Sequence, residues 1–249
     1  TTARLISASG LSAMSAASQC LAASVSSAAL ASLKPRSSYQ GPLPGSMETP
    51  AATKGSMANA ASATAATRDR QAEVRAALPL DDRGSFDNAR RGLIASIDPV
   101  TIRHRERGHP VYDLSGLGFL DGEAPDTVNP SLWRQAQLNA LHHGLFEVVP
   151  GIWQVRSFDI ANMTLVKGDT GWIIIDPLTS AESSAAALDL AQRHLGTRPV
   201  SAVIITHSHA DHYAGALGVI DAAAAREGRI PVIAPAGFVQ AALSENILA

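Results

Sequence analysis

An apolar, β-branched run from Pro199 to Ile205 gives way directly to Thr206-His207-Ser208-His209-Ala210-Asp211-His212. The run has the composition of a strand buried on both faces of a sheet. Three histidines and an aspartate then fall within six positions, 207 to 212. On extended backbone His207 and His209 project to the same side. A helix expected from Ala210 to Glu227 swings Asp211 and His212 round to face the same point. Imidazole and carboxylate suit zinc, and two nearby ions can share such a cluster. The place fits as well, because open α/β sheets build their sites beyond the carboxyl ends of their strands. The plain alternative is a surface histidine cluster without metal.

The remaining segments supply the frame. Arg68 to Leu78 and Phe86 to Asp98 read as helices, the second with Leu93, Ile94 and Ile97 on one face. Asp113 to Gly122 is Gly-rich and ends in a turn. Asn129-Pro130-Ser131 opens a helix from Leu132 to Leu141. After Gly144 the pattern becomes strand-like. Leu145 to Val149 and Ile152 to Val155 are joined by Pro150-Gly151, and Met163 to Lys167 and Trp172 to Ile175 flank the hairpin signature Gly168-Asp169-Thr170-Gly171. Thr179 followed by Glu182 reads as a capping box for an Ala/Leu-rich helix that ends at Gly196. Ile230 to Ala234 is a further strand. Strands that first meander and then alternate with helices predict an α/β chain of the α+β type, a mixed sheet with packed helices.

Composition removes several function classes. The 249 residues carry 20 basic and 22 acidic side chains, a net charge of -2. There is no basic stripe for nucleic acid and no polybasic membrane anchor. No apolar stretch is long enough for a spanning helix. The single cysteine, Cys20, excludes a disulfide framework and an all-thiolate metal site.

The first 67 residues differ from the rest. About half are Ala or Ser, against the minor share both have in ordinary domains. Glu48 is their only acid, beside Arg4, Lys34, Arg36 and Lys54. Residues 1–67 are therefore expected to be a disordered leader and residues 68–249 the folded part. The leader reads as an organellar transit peptide, a secretory signal with Leu11 to Leu33 as a weak apolar region, or a tract with no address. The compartment is open between an organelle, secretion and the cytoplasm. A chain that opens at Thr1 is expected to lack its true start, and Met14 is an alternative start.

The motif His207-x-His209-x-Asp211-His212 after an apolar strand resembles the signature of the metallo-β-lactamase fold hydrolases. Further blocks narrow the resemblance: Asn129-Pro130-Ser131-Leu132-Trp133-Arg134-Gln135, Gly144-Leu145-Phe146-Glu147-Val148, and Gly168 to Thr179 with Trp172-Ile173-Ile174-Ile175-Asp176-Pro177-Leu178 inside it. These look like the alkyl sulfatases, the branch that hydrolyses alkyl sulfate esters such as dodecyl sulfate. The likeness runs from about Arg68 to the end.

The resemblance implies part of an αββα sandwich and a site for two zinc ions. His207 and His209 would hold one ion, and Asp211 and His212 the other, with Asp211 also taken as the catalytic residue. Asp176 would orient the metal loop as a hydrogen-bond acceptor outside the ligand set, against the plain reading of a turn-starting Asp before Pro177. The implied chemistry is hydrolysis of a small alkyl sulfate by metal-activated water, with charge on the sulfate offset as the ester bond breaks. The family completes its site with later glutamates and a later histidine, and its full-length members are expected to be homodimers. This sequence has no histidine after His212, and its later glutamates, Glu227 and Glu245, read as helix-surface residues. The chain is thus expected to be the N-terminal piece of a larger enzyme. Two other readings stand beside it: another ester, thioester, lactone or β-lactam hydrolase of the same fold, and a non-catalytic half-module with an incomplete metal site.

Other side chains rank lower. His104 and His109 read as solvated, and His142 and His143 as helix-end cations. Trp133, Trp153 and Trp172 read as packing residues, Tyr213 as packing or substrate contact, and Ser208 as having no catalytic role.

Overall fold

Gly151 takes φ +89 between two short runs rich in β-branched and aromatic residues, and the chain doubles back there. The runs are β4 (Gly144–Val149) and β5 (Ile152–Arg156), antiparallel neighbours. They belong to a computed structural model that describes residues 62–98 and 100–245. The meander continues through β6 (Met163–Lys167) and β7 (Trp172–Ile175), paired across the predicted hairpin. The helix α4 (Ala181–Leu195) then carries the chain to β8 (Val200–Ile204), which lies parallel to β7, and β9 (Val232–Ile233) adds parallel to β8. With β1 (Leu93–Ala95) on the far side of β4, the sheet has seven strands in the order β1-β4-β5-β6-β7-β8-β9. It is mixed, as the sequence predicts.

Period-two alternation decides which face is dry. Met163, Leu165, Trp172 and Ile174 are at most 1% exposed, whereas Thr164, Val166, Ile173 and Ile175 on the other face are half-buried. Helix α4 turns the stripe Ser183, Ser184, Ala187, Leu190 and Ala191 inward at helical spacing. Burying each large apolar side chain of this layer contributes about 1.5–3 kcal/mol. Trp153 meets Trp172 edge-on at 5.6 Å, so both are packing residues.

Before the sheet come α1 (Ala65–Ala77), α2 (Gly84–Ala89), a hairpin of β2 (Thr101–Arg103) with β3 (Pro110–Asp113), a 3-10 segment Ser115–Asp121, and α3 (Pro130–Leu141). Asn129 caps α3 by accepting from the Ser131 amide at 2.9 Å. Trp133 is 7% exposed on α3, and its indole donates to the Gly122 carbonyl. No helix of the described residues is long and apolar enough to cross a membrane. The leader expected over 1–67 lies outside the described residues up to 61; Thr64 already caps α1.

Several local expectations fail for tertiary reasons. The helix expected from Phe86 to Asp98 stops at Ala89, and Leu93–Ala95 joins the sheet instead. Gly92, at φ +80, makes that turn with the Glu147 carbonyl 2.1 Å from where a Cβ would stand. The helix expected from Ala210 to Glu227 is a 3-10 turn (Ala210–His212), a second 3-10 turn (Ala216–Gly218) and the short α5 (Ala222–Arg226) capped by Asp221. Close packing of Gly215 and Gly218 against residues 177–184 interrupts it. The cap of α4 is Ser180, not Thr179, and Glu182 accepts from the Arg105 amide rather than closing a capping box. Strand β8 is not dry on both faces either: within it only Val203 is fully buried.

Candidate metal centre

Strands β7 and β8 are parallel, so their carboxyl ends lie at the same edge of the sheet. Ile175 pairs with Ile204, which brings Asp176 beside the start of the histidine loop. The Asp176 amide donates to the Ile204 carbonyl at 2.9 Å, extending the pairing one step past the strand. From there both chains leave the sheet.

Asp176 is 8% exposed and is the hub of the loop. Its Oδ1 accepts from the Thr206 amide at 2.8 Å, and its Oδ2 accepts from the Thr206 hydroxyl at 2.7 Å. The same Oδ2 lies 2.9 Å from His212 Nδ1. A carboxylate can only accept, so Nδ1 of His212 carries the proton of that bond, with Nε2 at the other edge of the ring. That nitrogen stands 3.2 Å from Oδ2 of Asp211. Two ligands about 2.05 Å from one tetrahedral zinc are themselves about 3.3 Å apart. The Asp211–His212 pair thus has the spacing of two donors to one ion. The His207 ring lies 4.1 Å from the His212 ring and 4.7 Å from the His209 ring. The motif residues are thus neighbours in pairs, Asp211 with His212 and His207 with both His209 and His212, and imidazole and carboxylate are donors that suit a divalent metal ion.

Asp176, His207 and His212 also form a trio with potential ligand atoms within 4.8 Å of one another. Asp176 already accepts three hydrogen bonds, one at Oδ1 and two at Oδ2, which fill most of the lone-pair sites of its carboxylate.

The turn that carries Asp176 is strained. Asp176 and Leu178 are non-glycine residues at φ +55 and +60, on either side of Pro177. Such conformations persist only where the surroundings hold them. Three contacts do so: the Gly215 amide donates to the Leu178 carbonyl at 2.8 Å, the Ser184 hydroxyl donates to the Pro177 carbonyl, and Asp159 grips Thr179. The Asp159 carboxylate, 8% exposed, accepts from the Thr179 amide at 3.0 Å and from its hydroxyl at 2.8 Å. Asp159→Ala leaves these donors unpaired and is expected to cost about 2 kcal/mol. A lowered urea midpoint with an unchanged m-value checks this.

Glu245 does not behave as a plain helix-surface residue. It follows α6 (Phe238–Leu243), and its Oε2 accepts from the Ser208 hydroxyl at 2.7 Å and lies 4.0 Å from His209 Nε2. Nothing in its sequence neighbourhood signals this, because the return of α6 to the loop is a tertiary fact. Tyr213 packs edge-on to Phe238 at 5.1 Å; burial and then the Glu245 charge raise its phenol above the ordinary value. His104 accepts from the Glu106 and Arg107 amides through Nδ1, and His143 contacts the Ile97 carbonyl at 2.9 Å, so both serve local structure. A cavity of about 590 Å³ bounded by Arg75, Arg83, Phe86 and Trp133 includes none of the motif residues.

Residues 156–246 match the metallo-beta-lactamase superfamily. Over 188 residues, 75% of this chain, the sequence is 50% identical to an (R)-specific secondary-alkylsulfatase of a Pseudomonas species. The chain is similar to the alkylsulfatases, and part of it matches the metallo-β-lactamase superfamily. It is 49% identical over 189 residues to a linear primary-alkylsulfatase of a Pseudomonas species. It is also 46% identical over 178 residues to the alkyl/aryl-sulfatase BDS1 of Saccharomyces cerevisiae. The solved structure of the stereoselective inverting sec-alkylsulfatase Pisa1 from a Pseudomonas species superposes with a TM-score of 0.69 and 50% identity, covering 76% of this chain and 30% of that one. The chain spans 27–28% of the length of the three alkylsulfatases it matches in sequence.

Proposed function

We propose that this chain contributes the histidine half of the metal site of a zinc-dependent hydrolase of alkyl sulfate esters. The observation that carries the reading is the Asp176-anchored loop, in which Asp211 Oδ2 and His212 Nε2 stand 3.2 Å apart beside His207 and His209. It stands in a sequence 50% identical to a secondary-alkylsulfatase. His207 and His209 would hold one zinc, and Asp211 and His212 the other; water or further protein donors complete each ion toward four ligands. Bound zinc supplies Lewis acidity that acidifies water near neutral pH and offsets charge on the ester.

The chain's own groups do the rest. His212 is held by Asp176 with its proton on Nδ1. Asp211, a quarter exposed, places a carboxylate oxygen where a proton leaving water can be held. Overall the ester R–O–SO₃⁻ and water yield the alcohol and hydrogen sulfate. The water hydroxyl adds to one side of the broken bond and its proton to the other.

The test is metal analysis of the intact protein together with sulfate release from dodecyl sulfate. Bound zinc with sulfate release that stops on chelation is the expected result. Turnover of a thioester, lactone or β-lactam with none of dodecyl sulfate would move the protein to another branch of chemistry. Absence of both metal and turnover would leave a non-catalytic module.

A further inference from the structure

Thr206 sits between two groups whose proton needs are opposite. Its hydroxyl lies 2.7 Å from Asp176 Oδ2 and 2.9 Å from His207 Nδ1. A hydroxyl has one proton to give. The carboxylate offers only lone pairs, so that proton goes to Asp176, and the hydroxyl oxygen is left to accept toward His207. The partner on the ring must then be an N–H. In its neutral form His207 would then carry its proton on Nδ1 and its lone pair on Nε2.

We propose that Thr206 is a positioning residue that fixes the tautomer of His207, relaying the polarity of Asp176 to a histidine the carboxylate does not touch. Asp176 sets His212 directly, at 2.9 Å, and His207 through one intervening hydroxyl. In their neutral forms both rings would then carry the proton on Nδ1 and the lone pair on Nε2. Without the hydroxyl, His207 has no acceptor at Nδ1 among the described residues and loses its bias; free imidazole side chains in water favour the proton on Nε2, the nitrogen that must be bare to bind. Thr206 is exposed while its amide is tied to Asp176 Oδ1, so the hydroxyl can be removed with the loop anchor kept.

The inference concerns the ligand His207 and rests on the metal-site reading above, but its first readout needs no metal. In the metal-free protein, with histidines labelled with ¹⁵N and neutral, the ring nitrogens of His207 are expected to report the Nδ1–H form. Thr206→Val, isosteric and without a hydroxyl, is expected to shift His207 toward the Nε2–H form and leave His212 unchanged. Thr206→Ser restores the hydroxyl and is expected to restore the wild-type pattern. Zinc affinity follows, with a loss of about 10-fold for the valine variant and little for the serine variant, the low end of what outer hydrogen-bond partners of metal-bound histidine cost. Circular dichroism confirms that both variants fold. His207 remaining Nδ1–H in Thr206→Val, or serine failing to restore it, overturns the relay. A wild-type protein that shows the tautomer pattern but takes up no zinc supports the relay and sinks the hydrolase reading instead.

Discussion

Asp176→Asn is expected to keep the fold and to lose zinc affinity by about 100-fold, the upper end for a partner of a metal-bound histidine. Asparagine tolerates the φ of +55 at this position, so the backbone has no reason to move. Its amide oxygen takes the Oδ1 place and still accepts from the Thr206 amide. The amide nitrogen then faces the Thr206 hydroxyl and His212 Nδ1, where two donors formerly pointed at a carboxylate oxygen. Both donors must reverse. His212 accepts at Nδ1 and moves its proton to Nε2, and the Thr206 hydroxyl turns its proton on His207 with the same result. One oxygen exchanged for NH₂ thus blocks two ligand nitrogens. Titration of the intact protein with zinc reads the effect, alongside melting to show that the fold survives. Affinity within a factor of two of wild type would mean that Asp176 does not set the histidine tautomers. Asp176→Ala should be worse in a second way, since it gives up all three hydrogen bonds and places alanine in a left-handed conformation.

Gly215→Ala is expected to destabilise the protein by about 3 kcal/mol, the top of the range for overpacking. The backbone at Gly215 has φ -82, which any residue can adopt, so the constraint is space. A Cβ there would stand 2.2 Å from the Pro177 carbonyl oxygen, 2.5 Å from Ser184 Oγ and 2.6 Å from the Ser180 carbonyl oxygen. Two of these atoms are backbone, in the turn that carries Asp176 and at the cap of α4. Relief requires moving that turn, so zinc affinity should fall with stability. Gly228→Ala is the control. Nothing lies within 4 Å of its added Cβ, and only its φ of +72 resists, at about 1 kcal/mol. Equal losses in urea denaturation for the two variants would show that the 177–184 contact yields without cost.

Strands β4 to β7 were legible because they pair with sequence neighbours and their β-branched runs and turns are local; β6 and β7 also alternate, as in Met163/Leu165 and Trp172/Ile174. The motif His207-His209-Asp211-His212 was legible because four ligand types at fixed short spacing need no distant partner to be noticed. Residues 93–95 misled because Leu93 and Ile94 suit a helix face and a strand equally well; pairing with β4, about fifty positions away, settled the matter. Residues 210–227 misled because alanine-rich composition says helix, while contacts of Gly215 and Gly218 with a segment some thirty residues earlier forbid a continuous one. Thr206, Asp159 and Glu245 carried no signal, since a threonine, an aspartate and a glutamate are common everywhere and only their partners distinguish them.

The sequence by itself determined a mixed α/β chain, a cluster of metal-ligand residue types at the end of a strand, and a likeness to the alkylsulfatases in the blocks from Asn129 to His212. Local spacing and residue chemistry carry that information. Only the tertiary structure decided what the loop side chains face: Nδ1 of His212 meets Asp176 directly, and Nδ1 of His207 meets the Thr206 hydroxyl. Both contacts follow from Asp176, which parallel pairing of β7 with β8 brings beside a loop thirty residues away.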